Sequence, residues 1–121
     1  MGATLLGIRA NLEVREVPRS VAFFERTLGL RPVVTMGEPV TFAILAADDA
    51  SLALAATAEP AVAAIAACYV DVSDVTAAYE RCRDAGAEIT AEVTTHPWGM
   101  RDFVLRDPDG HQIAVGQRVE R

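Results

Sequence analysis

Apolar and polar residues alternate from position 8 to position 14, and a period of two marks a strand. Ala10, Leu12 and Val14 fall on one side of it. Arg9, Asn11 and Glu13 fall on the other. The period then lengthens. Val17, Val21, Phe24 and Leu28 recur at helical spacing, so one face of a helix is buried. Pro18 suits the first turn of that helix, and Gly29 suits its left-handed end. Three short strands are expected next, at 31–36, 40–46 and 51–57. They are separated by Gly37-Glu38-Pro39 and Asp48-Asp49, both turn chemistry.

The second half repeats this order. A strand is expected at 66–72, with Cys68, Val70 and Val72 toward a helix and Ala67, Tyr69 and Asp71 away from it. Ser73 or Asp74 caps the helix, whose apolar face holds Val75, Ala78, Tyr79, Cys82 and Ala85. Strands at 88–95, 102–106 and 112–116 follow. Asp107-Pro108-Asp109-Gly110 joins the last two as a tight turn. The strand-to-helix junctions at Val14 and Val72 lie about 58 residues apart, and the closing glycines Gly29 and Gly86 keep nearly that spacing. Glu59-Pro60 marks the junction. The reading is one α+β domain over residues 1–121, made of two tandem βαβββ modules at about 5–58 and 62–118. Each sheet has a helix on one face and mixed residues on the other. Such a curved sheet leaves an open face for a ligand or a partner.

Charge narrows the partners. The chain of 121 residues has net charge −6, and all eleven cations are arginine. Phosphate contacts need clustered basic residues, so nucleic acid is not an expected partner. An acidic surface favours a cationic ligand by long-range attraction, although the same charge also serves solubility. No apolar run approaches the ~20 residues that span a bilayer, so no membrane role is expected. The first ten residues lack a signal-peptide core, and two cysteines, Cys68 and Cys82, do not make a disulfide scaffold. A cytoplasmic protein with two buried structural thiols is the expectation.

Two blocks carry a resemblance. Pro18-Arg19-Ser20-Val21-Ala22-Phe23-Phe24-Glu25-Arg26-Thr27-Leu28-Gly29-Leu30 and Phe103-Val104-Leu105-Arg106-Asp107-Pro108-Asp109-Gly110, set in a duplicated module, resemble the glyoxalase/bleomycin-resistance/dioxygenase (vicinal oxygen chelate) superfamily. The resemblance spans essentially the whole chain. It implies curved mixed sheets forming a cup, and a homodimer with ligand crevices built from both subunits. A narrower stretch, Pro97-Trp98-Gly99-Met100-Arg101-Asp102-Phe103, looks like the Pro-Trp-Gly loop of bleomycin-binding resistance proteins. In those proteins the loop Trp stacks on the planar part of the drug, and Phe42 resembles the position of a second stacking aromatic.

The same resemblance bears on metals. Superfamily enzymes hold a divalent ion with His and Glu on cup-facing strand positions. Module register projects those positions onto Arg9, Ala67 and Ala114. A fixed cation and two methyl groups supply no ligand. No metal and no cofactor are expected, and the reading leans away from an enzyme.

The candidate ligand-binding residues are therefore Trp98, Phe42, Arg9, Glu13, Tyr69, Arg101 and Phe103. Each has a structural alternative. Trp98 either covers a core edge or offers a stacking surface. Phe42 divides between core and ligand. Arg9, Glu13 and Asp71 pair with one another or recognise a charged ligand. Tyr69 is a ligand wall or a core tyrosine with one hydrogen bond, and Arg101 either meets the ligand or ties the loop to Asp102 or a neighbouring carboxylate. His111, directly after the turn glycine, reads as a solvent-facing strand start, and His96 as a solvated loop residue, with contact to the ligand as its alternative. The function expected is metal-free sequestration of an antibiotic-like small molecule that is planar and cationic. The rival is a lyase, isomerase or oxygenase with a metal-independent site and Glu13 or Asp71 as base. A third reading is a regulatory or structural partner protein.

Overall fold

Alternating strand residues can bury only one face, and here that face meets a helix in each half of the chain. The computed structural model describes residues 2–119. The first half contains β1 (Ala10–Val14), α1 (Val17–Leu28), β2 (Arg31–Met36), β3 (Phe42–Ala47) and β4 (Ala50–Ala56). The second contains β5 (Cys68–Asp71), α2 (Val75–Asp84), β6 (Glu88–Thr95), β7 (Met100–Arg106) and β8 (Gln112–Arg118). The sheets have the orders β1-β4-β3-β2 and β5-β8-β7-β6. In each, the first strand runs parallel to the last and the other pairs are antiparallel. This is the expected pair of βαβββ modules. Register shifts at Pro32/Val34 in β2, and at Ile89/Ala91 and Ala91/Thr94 in β6, are bulges that bend the outer strands and curve the sheets.

Helix ends follow the sequence signals. Gly29 closes α1 at φ 72°, and its N–H donates to the Glu25 carbonyl. Asp74, rather than Ser73, caps α2 by accepting a hydrogen bond from the Ala77 N–H at 3.1 Å. β1 starts later than expected, because Ile8 is almost wholly exposed and pairs with nothing. β3 starts at Phe42 rather than at Val40, which the turn after Gly37 retains.

One core joins the modules. Leu12, Val14, Phe24, Leu45 and Leu54 bury from the first, and Val75, Cys82, Phe103, Leu105, Ile113 and Val115 from the second. The helices meet at its centre. Arg81 of α2 donates to the carbonyls of Glu25 and Arg26 at 3.0 Å each, which satisfies the open end of α1. The Cys82 thiol lies 3.6 Å from the Thr27 carbonyl. Desolvation pushes the Cys82 thiol up to about 11, which suits an inert structural thiol.

The Asp107-Pro108-Asp109-Gly110 turn is a second tie between the modules. Asp107 accepts from the backbone of Asp109 and His111 and so fixes the turn. Asp109 reaches out of it to the Arg15 backbone N–H, the Arg15 guanidinium and the Arg19 guanidinium. His111 corrects an expectation. It is buried rather than solvent-facing, because its Nε2 lies 2.7 Å from the Glu13 carbonyl across the module boundary.

Candidate functional site

The face of each sheet turned away from its helix is the open one, and the strand register says which residues share it. In module one, Phe42, Ile44 and Ala46 of β3 lie beside Met36, Val34 and Arg31 of β2 and beside Ala55, Ala53 and Ser51 of β4. Asn11 and Glu13 of β1 complete the face. It is largely apolar, and Met36 and Val34 are 59% and 41% exposed. In module two, Asp102, Val104 and Arg106 of β7 lie beside Gly116, Ala114 and Gln112 of β8, with Asp71 and Tyr69 on β5. This face is largely polar.

The polar face is organised at one end by the turn between β6 and β7. His96 N–H donates to the Met100 carbonyl, and Gly99 N–H donates back to the His96 carbonyl. Gly99 takes φ 92°, a conformation glycine favours. Trp98 therefore projects from the tip and is 67% exposed. Its indole stacks on the His96 ring with centroids 4.4 Å apart and planes 5° apart. The imidazole is held in turn: its Nε2 lies 2.7 Å from Asp102 Oδ1. The second oxygen of Asp102 accepts the Tyr69 hydroxyl at 2.9 Å. The Tyr69 ring is half exposed, but its hydroxyl sits over Gly116, where an added Cβ would come within 1.9 Å of it. Desolvation first, then the bond to Asp102 and the charges of Asp102 and Asp71, push the Tyr69 phenol up to about 12.

The other candidates are placed as follows. Phe42 lies on the open face of module one, half-buried. Arg9 lies outside β1, and its Nε is 3.4 Å from the Ser51 hydroxyl; among the described residues it pairs with no carboxylate. Glu13 accepts from the Ala61 N–H at 2.7 Å, so it anchors the segment that links the modules. Arg101 binds the Thr95 hydroxyl rather than Asp102, since neighbouring strand residues point to opposite faces. Phe103 is a correction for the same reason. It is fully buried on the helix side, edge-on to Tyr79 at 5.3 Å, and belongs to the core. Trp98 and Tyr69 are thus brought together, while Phe42, Arg9 and Glu13 stand on the other module. Two participants were not among the candidate site residues: Asp102, considered only as a tie for Arg101, and Gly116. Gly116 carried a usable signal, because a glycine inside a strand often marks close approach of another group.

Comparison with known proteins identifies the architecture. The family model of the glyoxalase/bleomycin resistance protein/dioxygenase superfamily matches residues 8–115. The chain belongs to this superfamily. Among solved structures, TioX from Micromonospora sp. ML1 superposes with TM-score 0.79 at 25% identity, covering 93% of this chain and 98% of that one. A glyoxalase-related enzyme from Clostridium phytofermentans gives TM-score 0.79 at 16% identity, covering 98% of each chain, a likeness of fold alone. Among curated relatives, the uncharacterized protein Mb0911c of Mycobacterium bovis is 37% identical over 51 residues, which is 42% of this chain and 34% of that protein. The match thus spans about a third of that relative's length.

Superfamily enzymes use a divalent metal, and the residues here do not fit one. Arg9 is a cation, and Ala67 and Ala114 carry no donor atom. Among the described residues, no group of three His, Cys, Asp or Glu side chains converges to hold an ion. His96 and Asp102 face each other, but the third member of their row is a phenol pushed toward its neutral form.

Proposed function

We propose that this superfamily member is a binding protein that sequesters a small, planar, cationic molecule, such as a glycopeptide-type antibiotic of the bleomycin class. One observation carries the reading. The only Trp of the chain is two-thirds exposed at a turn tip and yet fixed in plane by a stacked imidazole. An indole left in water at that cost is a surface for a flat ligand. Net charge −6 and the acidic pair Asp71 and Asp102 favour a cation there. Sequestration would protect a cell by lowering free drug, with no bond made or broken.

The working unit proposed is a cytoplasmic homodimer. Leu5, Leu6 and Ile8 are 90–95% exposed, and Val33 and Met36 about 60%. The first three precede β1 and the last two lie on β2, the opposite edge strand, so module one leaves apolar surface that favours burial against another subunit. Such pairing would set the apolar face of one module, with Phe42, opposite a polar face carrying Trp98.

The test is a metal-free fluorescence titration of Trp98 with bleomycin and with mitomycin. Saturable quenching at one ligand per chain, or one per crevice, supports the reading, and a flat response from folded protein removes it. Trp98→Ala with unchanged affinity for a ligand found this way would remove the stacking role.

A second reading draws on the His96–Asp102 pair. An imidazole oriented by a carboxylate is the arrangement of a general base, so a metal-independent lyase or isomerase acting on the same ligand is its natural form. Glu13 is a poorer base than the sequence suggested, since it is committed to Ala61. Mass analysis of ligand recovered after incubation separates the two. An unchanged mass and structure favour sequestration, and a changed one favours turnover.

A further inference from the structure

The row of contacts behind Trp98 has a direction. An indole on a surface turn has several rotamers, and fixing it costs conformational entropy. The His96 ring can fix it only if the imidazole is itself fixed, and the second side-chain torsion of histidine is broad. Asp102 Oδ1 supplies that restraint at 2.7 Å. A carboxylate also rotates, and the Tyr69 hydroxyl holds its other oxygen at 2.9 Å. Tyr69 can reach it only because position 116 has no side chain, since a Cβ there would lie 1.9 Å from the hydroxyl and 2.8 Å from Asp102 Cβ. Three strands, β5, β8 and β7, thus converge on one carboxylate.

We propose that Asp102 is the positioning residue of the Trp98 platform. It acts through His96, and Gly116 and Tyr69 hold it in place. The inner face of the indole is occupied by the imidazole. The outer face is left for one planar aromatic cation, bound on one side only. The proposal rests on the reading of Trp98 as a stacking surface. It adds that this surface is ordered before any ligand arrives, which reduces the ordering cost on binding. The row lies outside the core cluster, so its loss should weaken binding far more than folding.

The experiment uses the full chain with Asp102→Asn, Tyr69→Phe, Gly116→Ala and Trp98→Ala. Two readouts are taken at one pH. The first is the near-ultraviolet circular dichroism of the sole Trp. The second is quenching of its emission by proflavine, a planar aromatic cation. Asp102→Asn is expected to shrink the indole band and weaken proflavine about three- to tenfold, from the freedom returned to ordered side chains. Tyr69→Phe and Gly116→Ala are expected to move both readouts the same way by less. They also carry the test if Asp102→Asn does not fold. An unchanged band and unchanged affinity in Asp102→Asn overturn the positioning role, as do unchanged values in both milder variants. Absence of proflavine binding to the parent chain, or binding measured by proflavine's own emission that survives Trp98→Ala, overturns the underlying planar-cation reading instead. In that case the circular dichroism arm still decides whether Asp102 orders the indole.

Discussion

The two modules share a topology and differ in the chemistry of their open faces. In module one, Val34, Met36, Phe42 and Ile44 form an apolar surface; Glu13 beside it is turned to a tie with Ala61, and Arg9, just ahead of β1, to one with Ser51. In module two, Tyr69, Asp102 and His96 are bonded in a row, and Thr90 meets Gln112 on a neighbouring part of the sheet. The helix-facing sides, by contrast, are similar in kind: aliphatic side chains in both, with Phe103 added in module two. A duplicated fold therefore constrains one face of each sheet and leaves the other free. The apolar face suits contact by area, which is tolerant of its partner. The polar face suits contact by direction, which is selective.

The largest test compares the aromatic strand residues of the two modules. Phe103 points into the core and Phe42 to the open face. Phe103→Ala is expected to cost about 3–5 kcal/mol of stability, from lost burial and the cavity left behind. Phe42→Ala should cost about 1 kcal/mol or less, as most partly exposed substitutions do. Urea unfolding of both checks this, and similar losses would mean that the face of Phe42 is not open. Next in size is the tie between modules. Asp109 is buried and accepts three bonds from Arg15 and Arg19, whose own side chains are about half exposed. Asp109→Ala should cost about 1–3 kcal/mol. If the modules are cooperative through this turn, unfolding should remain a single transition followed equally by Trp98 emission and by far-ultraviolet circular dichroism.

Much of this was legible in the chain. Alternation set the faces of β1 correctly from Ala10 to Val14, because burial on one side forces the period. The buried face of α1, by contrast, is turned slightly from the expected one: Val17 and Phe24 are buried with Ser20, Phe23 and Thr27, and Val21 and Leu28 only partly. The repeat then supplied the topology. What sequence could not provide was distance between side chains far apart in the chain. Tyr69 and Asp102 are 33 residues apart, and His111 and Glu13 98. His111 was misread because a polar residue after a turn normally faces water, whereas here a backbone carbonyl of the other module receives it. Phe103 was drawn into the ligand set by a resemblance of the whole loop, although the odd-even rule places it opposite Asp102. Trp98 was identifiable from its turn and its uniqueness, but the imidazole that holds it was not.

The helix starts give a smaller contrast between modules. Asp74 caps α2 with its side chain, while Glu16 stands at the start of α1 and makes no such bond. Asp74→Ala is expected to cost about 1 kcal/mol, and Glu16→Ala only a few tenths, because α1 relies on Pro18 and its buried face instead. Thermal melts in parallel would show it, and equal losses would mean that capping does not distinguish the modules.

The smallest effect is spectroscopic and bears directly on the polar face. The chain has two tyrosines, and both are pushed up, Tyr69 to about 12. Tyr79 rises chiefly through its hydrogen bond to Glu92, on the helix side of the sheet. A phenol whose folded value lies above the ordinary 10 binds its proton more tightly in the native state. The associated stability is therefore fully present below pH 10 and is lost as pH rises toward 12. Phenolate absorbance of the folded protein at pH 10 should fall below the half ionisation of free tyrosine, with the Tyr69 component almost un-ionised. Asp102→Asn removes a hydrogen-bonding carboxylate and its charge and should bring the Tyr69 component back toward 10. Leaving that component unmoved would mean that Tyr69 does not bear on Asp102 in solution. The row would then be broken at its second link, and the polar face would be no more directed than the apolar one.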